Sequence, residues 1–272
     1  MKDTVPSDWI GDRASWTRRI ERAAELAGRN PWAKEVLDFY GRILEFQKGI
    51  FESRPENSGN TEVEFRSALD LNEAQKNIHA LLTLVKQCGP AKLAEEAGQL
   101  QGMSDSEFRV HLSEYLLAPD SPPNGTTFFS RVLLQPQAEQ LAEARGPKTQ
   151  VVAGNRCPYC DSRPQLAVIR PEGNGGKRML LCSLCQSEWD FRRILCPICG
   201  ETNHEKLPRY TAEGMAVVCV ECCDTCRGYL KSIDMTVDGL AVPVVDEIAT
   251  APLDLWAAER EYHKLQPNLM GF

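Results

Sequence analysis

Up to about residue 144 the apolar positions recur at helical spacing; beyond it they alternate in short runs set between pairs of cysteines. Val36, Tyr40, Ile43, Phe46 and Ile50 fall three or four residues apart, which places them on one face of a long amphipathic helix. Asn30-Pro31 precedes them as a capping residue and a first-turn proline. The NSGN run at 57–60 breaks the pattern, and a second helix is predicted from near Leu69 to Gln87, stopped by Gly89-Pro90. Ser104 and Glu107 have capping-box spacing ahead of a helix to about Leu117. APDSPPNG (118–125) reads as a loop, and a last helix from about Thr127 is expected to be interrupted at Pro136. Gly146-Pro147 closes this half. These stripes predict the core of a helical bundle. Arg18-Arg19 precedes a charged helical stretch and is read as a solvated helix face, not an export signal.

The second half has another rhythm. Gln165–Ile169 and Arg178–Leu181 are strand-like and joined by the turn-rich PEGNGGK. RYTAEGMAVV carries a turn at Glu213-Gly214. Trp189, Phe191, Arg193 and Leu195 alternate on one face of a short strand, which predicts direct packing of the second hairpin against the first. Trp189 is expected in the core. The fold class is α+β, an all-α amino-terminal domain followed by two tandem β-hairpin modules.

Four C-x-x-C pairs punctuate those hairpins: Cys157/Cys160, Cys182/Cys185, Cys196/Cys199 and Cys223/Cys226. A C-x-x-C turn aims two sulfurs and its own amides at one point, and a second pair completes a tetrahedron around a metal ion. Long gaps on either side of a short middle one suggest two tandem modules, pair one with pair two and pair three with pair four. A cross-braced arrangement, one with three and two with four, is the alternative. The last pair has a competitor, since VVCVECCDTCRG also offers Cys219-x-x-Cys222. Cys223/Cys226 is preferred because Gly228 can take a knuckle's turn conformation and Cys219 lies in a strand-like run. His204 could replace a cysteine, but the set is complete without it. Four sulfurs suit zinc or iron equally. His79, His111 and Cys88 have no partner ligand at metal spacing and are expected to be structural or surface residues.

Composition narrows the function. The chain has 272 residues, 42% of them hydrophobic and 25% charged, as in an ordinary globular protein. No apolar run approaches the roughly 18 residues of a membrane span. MKDTVPSDWIGDR has no signal-peptide character, so the cysteines are expected in a reducing compartment, the cytoplasm. The net charge is −7, and the cysteine-rich part balances acidic against basic residues. Loading two four-thiolate sites would turn it acidic, which disfavours nucleic acid as a partner. Phosphate loops, GxSxG and HExxH motifs are absent from the sequence, and no catalytic residues are assigned.

CPYCDSRP (157–164), RMLLCSLCQSEWDFRRILCPICG (178–200), CDTCRGYLK (223–231), PVVDEIATAPLDLWA (243–257) and PNL (267–269) together resemble the formate dehydrogenase accessory proteins, the FdhE family. The resemblance implies a helical domain at 1–150, rubredoxin-like (zinc-ribbon-like) modules at 151–194 and 195–240, and a helical tail at 241–272. It implies two iron or zinc ions, one on Cys157, Cys160, Cys182 and Cys185, the other on Cys196, Cys199, Cys223 and Cys226. It also implies a cytoplasmic, non-enzymatic maturation factor that binds the catalytic subunit of respiratory formate dehydrogenase. An electron carrier using rubredoxin-like iron, or a zinc-ribbon module acting with nucleic acid, are the competing readings. Cys219 and Cys222 depart from the family pattern.

Overall fold

The computed structural model describes residues 15–54, 63–119, 125–146 and 154–272. The expected break at 57–60, most of the 118–125 loop, the 150/151 boundary and MKDTVPSDWIGDR lie outside them.

Helices α1 (Trp16–Arg29) and α2 (Lys34–Ser53) pack together across a single 3-10 turn at Pro31–Ala33. Asn30 closes α1 instead of capping α2, because its side-chain amide donates to the Leu26 carbonyl at 3.0 Å. Arg19 is not solvated as expected. It is buried, stacked over Trp16, and paired through two 2.9 Å bonds with Glu139. The helix predicted over 69–87 is two helices, α3 (Leu71–Lys76) and α4 (Ile78–Cys88), broken at Asn77, whose side chain donates to the Glu73 carbonyl. Then come α5 (Ala91–Leu100), which the sequence pattern did not announce, and α6 (Asp105–Leu117), which opens on the expected capping box.

Helix α7 (Thr127–Ala144) runs through the middle of the bundle, with Phe129, Val132, Leu133, Leu134 and Ala138 inaccessible to solvent. Pro136 does not interrupt it. A proline removes the amide that would have bonded the carbonyl four residues back, and here Gln47 of α2 donates to that carbonyl, Val132, at 3.1 Å. A neighbouring helix thus supplies the missing bond.

The second half is one twisted sheet. Strands β1 (Pro164–Glu172), β2 (Gly175–Cys182), β3 (Glu188–Asp190), β4 (Arg209–Tyr210), β5 (Val218–Cys222) and β6 (Gly228–Asp234) lie in the order β3-β2-β1-β6-β5-β4. The β1–β2 hairpin turns tightly at Gly173-Asn174, with Gly173 in the left-handed region. The two hairpins meet through parallel pairing of β1 with β6. The expected joint through residues 189–195 does not form. Only Glu188–Asp190 is strand, at the far edge, and Arg193 is exposed. Trp189 is buried as expected, donating to the Gly154 carbonyl at 3.0 Å.

The tail is partly strand. After α8 (Pro243–Ala249) and α9 (Ala251–Glu259), β7 (His263–Lys264) pairs in parallel with β6. Helix α8 wedges between α1, α2 and the sheet strands β1 and β6. At that wedge Lys231 of β6, with no exposed surface, lies 2.5 Å from Asp254 and 3.5 Å from Glu247. Lys264 pairs with the same two carboxylates. Asn268 and Gln165 donate to the remaining Glu247 oxygen at 2.8 and 3.2 Å. A buried network of this kind is stable only when each member is satisfied. Burial pushes Glu247 up, but Lys264 and Lys231 outweigh it and hold the group below the usual carboxylate range.

Candidate metal centres

Each C-x-x-C pair forms the same knuckle. The amide of the first cysteine donates to the carbonyl five residues on, from Cys157 to Ser162, Cys182 to Ser187, Cys196 to Glu201 and Cys223 to Gly228, all at 2.9 Å. Closing so tight a loop puts the residue after the second cysteine in the left-handed region: Asp161 (φ 57°), Gln186 (φ 54°), Gly200 (φ 78°) and Arg227 (φ 58°). Only one of the four is glycine. Gly228 therefore serves in a way the sequence did not suggest. It stays in ordinary backbone space, and a Cβ there would lie 2.0 Å from Ile198 Cδ1.

Strand register gathers the knuckles. Pro164 faces Cys182 across β1–β2, which brings the first and second knuckles to one end of that hairpin. The fourth knuckle is itself the turn between β5 and β6, since Cys222 faces Tyr229. The third reaches it through residues 202–208, fixed by bonds from the Cys222 amide to Pro208 and from the Asp224 amide to Lys206, each 2.9 Å.

Two groups of four sulfurs result. Cys157, Cys160, Cys182 and Cys185 form the first, and Cys196, Cys199, Cys223 and Cys226 the second, with all ligand atoms in each group within 4.8 Å of one another. Sulfur separations are 3.3 Å for Cys160–Cys182, 3.5 Å for Cys157–Cys185 and 3.7 Å for Cys160–Cys185. In the second group they are 3.8 Å for Cys196–Cys226 and 3.6 Å for Cys199–Cys223. A tetrahedron with metal–sulfur bonds of about 2.3 Å needs sulfurs ~3.8 Å apart, so both groups fit a metal ion. The pairing is tandem, with no crossing of pairs. Cys219 and Cys222 stay in β5, buried and outside both groups, while His79, His111, His204 and Cys88 lie at the surface or half-buried in the helical half and loops.

The surroundings of the two groups differ. Cys182 and Cys185 are fully buried, and Cys157 and Cys160 nearly so. Burial pushes Cys182 and Cys185 well above the ordinary thiol range. It pushes Cys160 up as well, but hydrogen bonds from Cys157, Cys182 and Cys185 outweigh it and draw that thiol well down. Four thiolates cannot share so dry a pocket without a cation, and a divalent ion would hold all four deprotonated. Two amides already point inward, Leu184 and Cys185 donating to Cys182 Sγ at 3.3 and 3.4 Å. The helical half reaches this site in two places that sequence reasoning missed. Arg131 of α7 holds the Ser183 carbonyl at 2.9 Å, and Arg66 holds the Cys160 carbonyl at 2.7 Å.

In the second group Cys199 is exposed and Cys226 half-buried, while Cys196 and Cys223 are covered. Burial raises Cys196 to about 11. For Cys199 the push of burial is outweighed by the Glu201 amide and by its three neighbouring thiols, and the group falls below the usual thiol range. The Ile198 amide donates to Cys196 Sγ at 3.4 Å. Glu201 ties the two knuckles together by accepting from Thr225 Oγ1 at 2.6 Å.

Residues 156–193 match the family profile described as FdhE, central domain, and residues 194–270 match that of FdhE, C-terminal domain. The whole fold superposes on the crystal structure of the FdhE protein from Pseudomonas aeruginosa with a TM-score of 0.73, at 25% identity, over 95% of this chain and 96% of that one. The chain is FdhE-like across both thiol groups and the tail. It is 29% identical over 272 residues to the FdhE homolog of Aquifex aeolicus (strain VF5), covering 93% of this chain and 94% of that one. It is 38% identical over 135 residues to the FdhE homolog of Pseudomonas aeruginosa, covering 48% of this chain and 44% of that one. Among the described residues no helix is long and apolar enough to cross a membrane.

Proposed function

We propose that the two thiol groups are metal sites, each holding one iron or zinc ion on four cysteines. On this reading the protein is a cytoplasmic maturation factor that binds the catalytic subunit of formate dehydrogenase. We divide the chain as a helical domain (1–150), two rubredoxin-like modules (151–194 and 195–240) and a tail (241–272). The observation that carries the metal assignment is the fourfold repetition of one knuckle, delivering eight sulfurs as two groups at tetrahedral spacing. The likeness to FdhE carries the client. The charge balance of the cysteine-rich part supports a protein client over nucleic acid, because phosphate binding needs a basic footprint. Bound metal would supply rigidity, since a knuckle pair without an ion is too small to hold its own core.

Affinity capture tests the client. Full-length protein carrying its metals is expected to retain the formate dehydrogenase catalytic subunit from the same cell. A variant lacking residues 151–272 is expected to lose it. Retention of the subunit by the isolated helical half, together with restored formate oxidation in a deletion strain, would refute the assignment.

A further inference from the structure

Two cations reach the first thiol group from the helical half, and neither has a carboxylate at ion-pairing distance among the described residues. Arg131 is 5% exposed. It donates to the Ser183 carbonyl through Nε (3.1 Å) and Nη2 (2.9 Å), to Gln165 Oε1 through Nη2 (2.5 Å) and to the Pro267 carbonyl through Nη1 (2.8 Å). Every one of those acceptors is neutral. Arg66, half-buried, donates through Nε to the Cys160 carbonyl and through Nη1 to the Leu116 carbonyl, both at 2.7 Å. Its Nη2 is buried with no partner.

Among the described residues the buried cations besides Arg131 are paired. Arg19 meets Glu139, Arg22 meets Asp246, Arg178 meets Glu221, and Lys231 meets Asp254. A buried cation lacking a counter-charge is strongly unfavourable, so Arg131 calls for an anion, and half-buried Arg66, with its Nη2 unbonded, points to the same place. Both hold carbonyls inside knuckles of the first group: Cys160 is one of its cysteines, and Ser183 lies between Cys182 and Cys185. Tyr115 lies among the same charges. Burial raises its phenol to about 12, and the next influences on it are Arg131, Cys160, Cys182 and Arg66.

A divalent ion on four thiolates carries about two negative charges. We propose that Arg131 and Arg66 are the counter-cations of the first metal site, through which the helical half makes a dianionic centre stable in a dry pocket. The inference rests on the metal reading above. It also accounts for a contrast between the sites. The second group opens to water at Cys199, where solvent screens the same charge.

The test uses full-length protein loaded with zinc, in a Cys199→Ser background that leaves only the first site, and a chromogenic chelator. Arg131→Gln keeps a hydrogen-bonding side chain but removes the charge. It is expected to release its zinc about tenfold more readily than the parent, the effect of one partly screened charge. Removing a nearby cation raises the thiol pKa values, so the acid-release midpoint should move to higher pH. Arg131→Lys, which keeps the charge, should stay close to the parent. Arg66→Gln should act in the same direction as Arg131→Gln and more weakly, and it carries the test if Arg131→Gln fails to fold. Release unchanged in both glutamine variants would overturn the proposal, and so would a lysine variant as labile as the glutamine one. A parent protein that holds no zinc would defeat the metal reading itself.

Discussion

The two thiol groups share one backbone design and differ in what surrounds them. Each uses a pair of knuckles closed by the same amide-to-carbonyl bond and the same left-handed residue. The first is enclosed between hairpin and helices, and the second, at the same end of the neighbouring parallel strands β1 and β6, leaves Cys199 exposed. Knuckle geometry is therefore local and is set by a few residues, whereas accessibility is tertiary and is set by α7 and its neighbours. The difference assigns the first site to holding the helical half on the sheet. It leaves the second as the thiol group that solvent, oxidants or a partner can reach.

That division can be broken most severely at Cys182. Cys182→Ser is expected to cost the first ion and, with it, a binding free energy on the order of 10 kcal/mol that the local fold depends on. Cooperative thermal unfolding should be lost or lowered steeply. Cys199→Ser should remove only the second ion, leaving the main unfolding transition of the bundle near the parent's. Equal damage from the two substitutions, seen by calorimetry, would erase the distinction.

Next in size is the buried network that locks α8 and α9 to β6. Glu247→Gln leaves Lys231 and Lys264 short of one carboxylate, and breaking such a buried pair costs about 3–5 kcal/mol. The folded-state pKa of Glu247 is depressed. Its contribution is therefore present in full above the unfolded carboxylate value of about 4.3 and is lost as pH falls through the folded value. Denaturant titrations should show the wild-type advantage over Glu247→Gln at pH 7 and its shrinkage in acid. An advantage that grew on acidification would contradict the pairing.

Chelator challenge sharpens the comparison without mutation. Metal release from the loaded protein is expected in two phases, the second site leaving about tenfold faster than the first because an attacking chelator can reach Cys199 directly. A single phase would show that burial does not govern lability. Gly228→Ala is the mildest case. Its Cβ meets Ile198, which is 36% exposed and can turn aside, so a loss of about 1 kcal/mol with both ions retained is expected by denaturant titration.

How legible this was depended on the range of the forces involved. The cysteine pairs, the capping box at Ser104 and the β1–β2 hairpin were readable because each is fixed within a few residues. Cys223 and Cys226, not Cys219 and Cys222, group with Cys196 and Cys199, but the turn behind this differs from the one the sequence suggested. Arg227, not Gly228, takes the left-handed conformation. What escaped was tertiary. Pro136 continues a helix because Gln47, far off in sequence, replaces its lost bond. Arg19 is buried because Glu139 awaits it. The β1–β6 joint pairs strands whose alternation says nothing about which edge they will find. Lys231, Asp246, Glu247 and Asp254 stood in the stretches that carried the family resemblance. Charged residues within otherwise apolar segments were the signal for a buried network.

The central claim is that eight cysteines form two separate four-thiolate metal sites. Elemental analysis of protein purified without oxygen tests it most directly, on the wild type and on Cys157→Ser. The account predicts two ions per chain in the wild type and one in the variant, since the tandem groups share no ligand. One ion or none in the wild type, or loss of both from the single substitution, would contradict it.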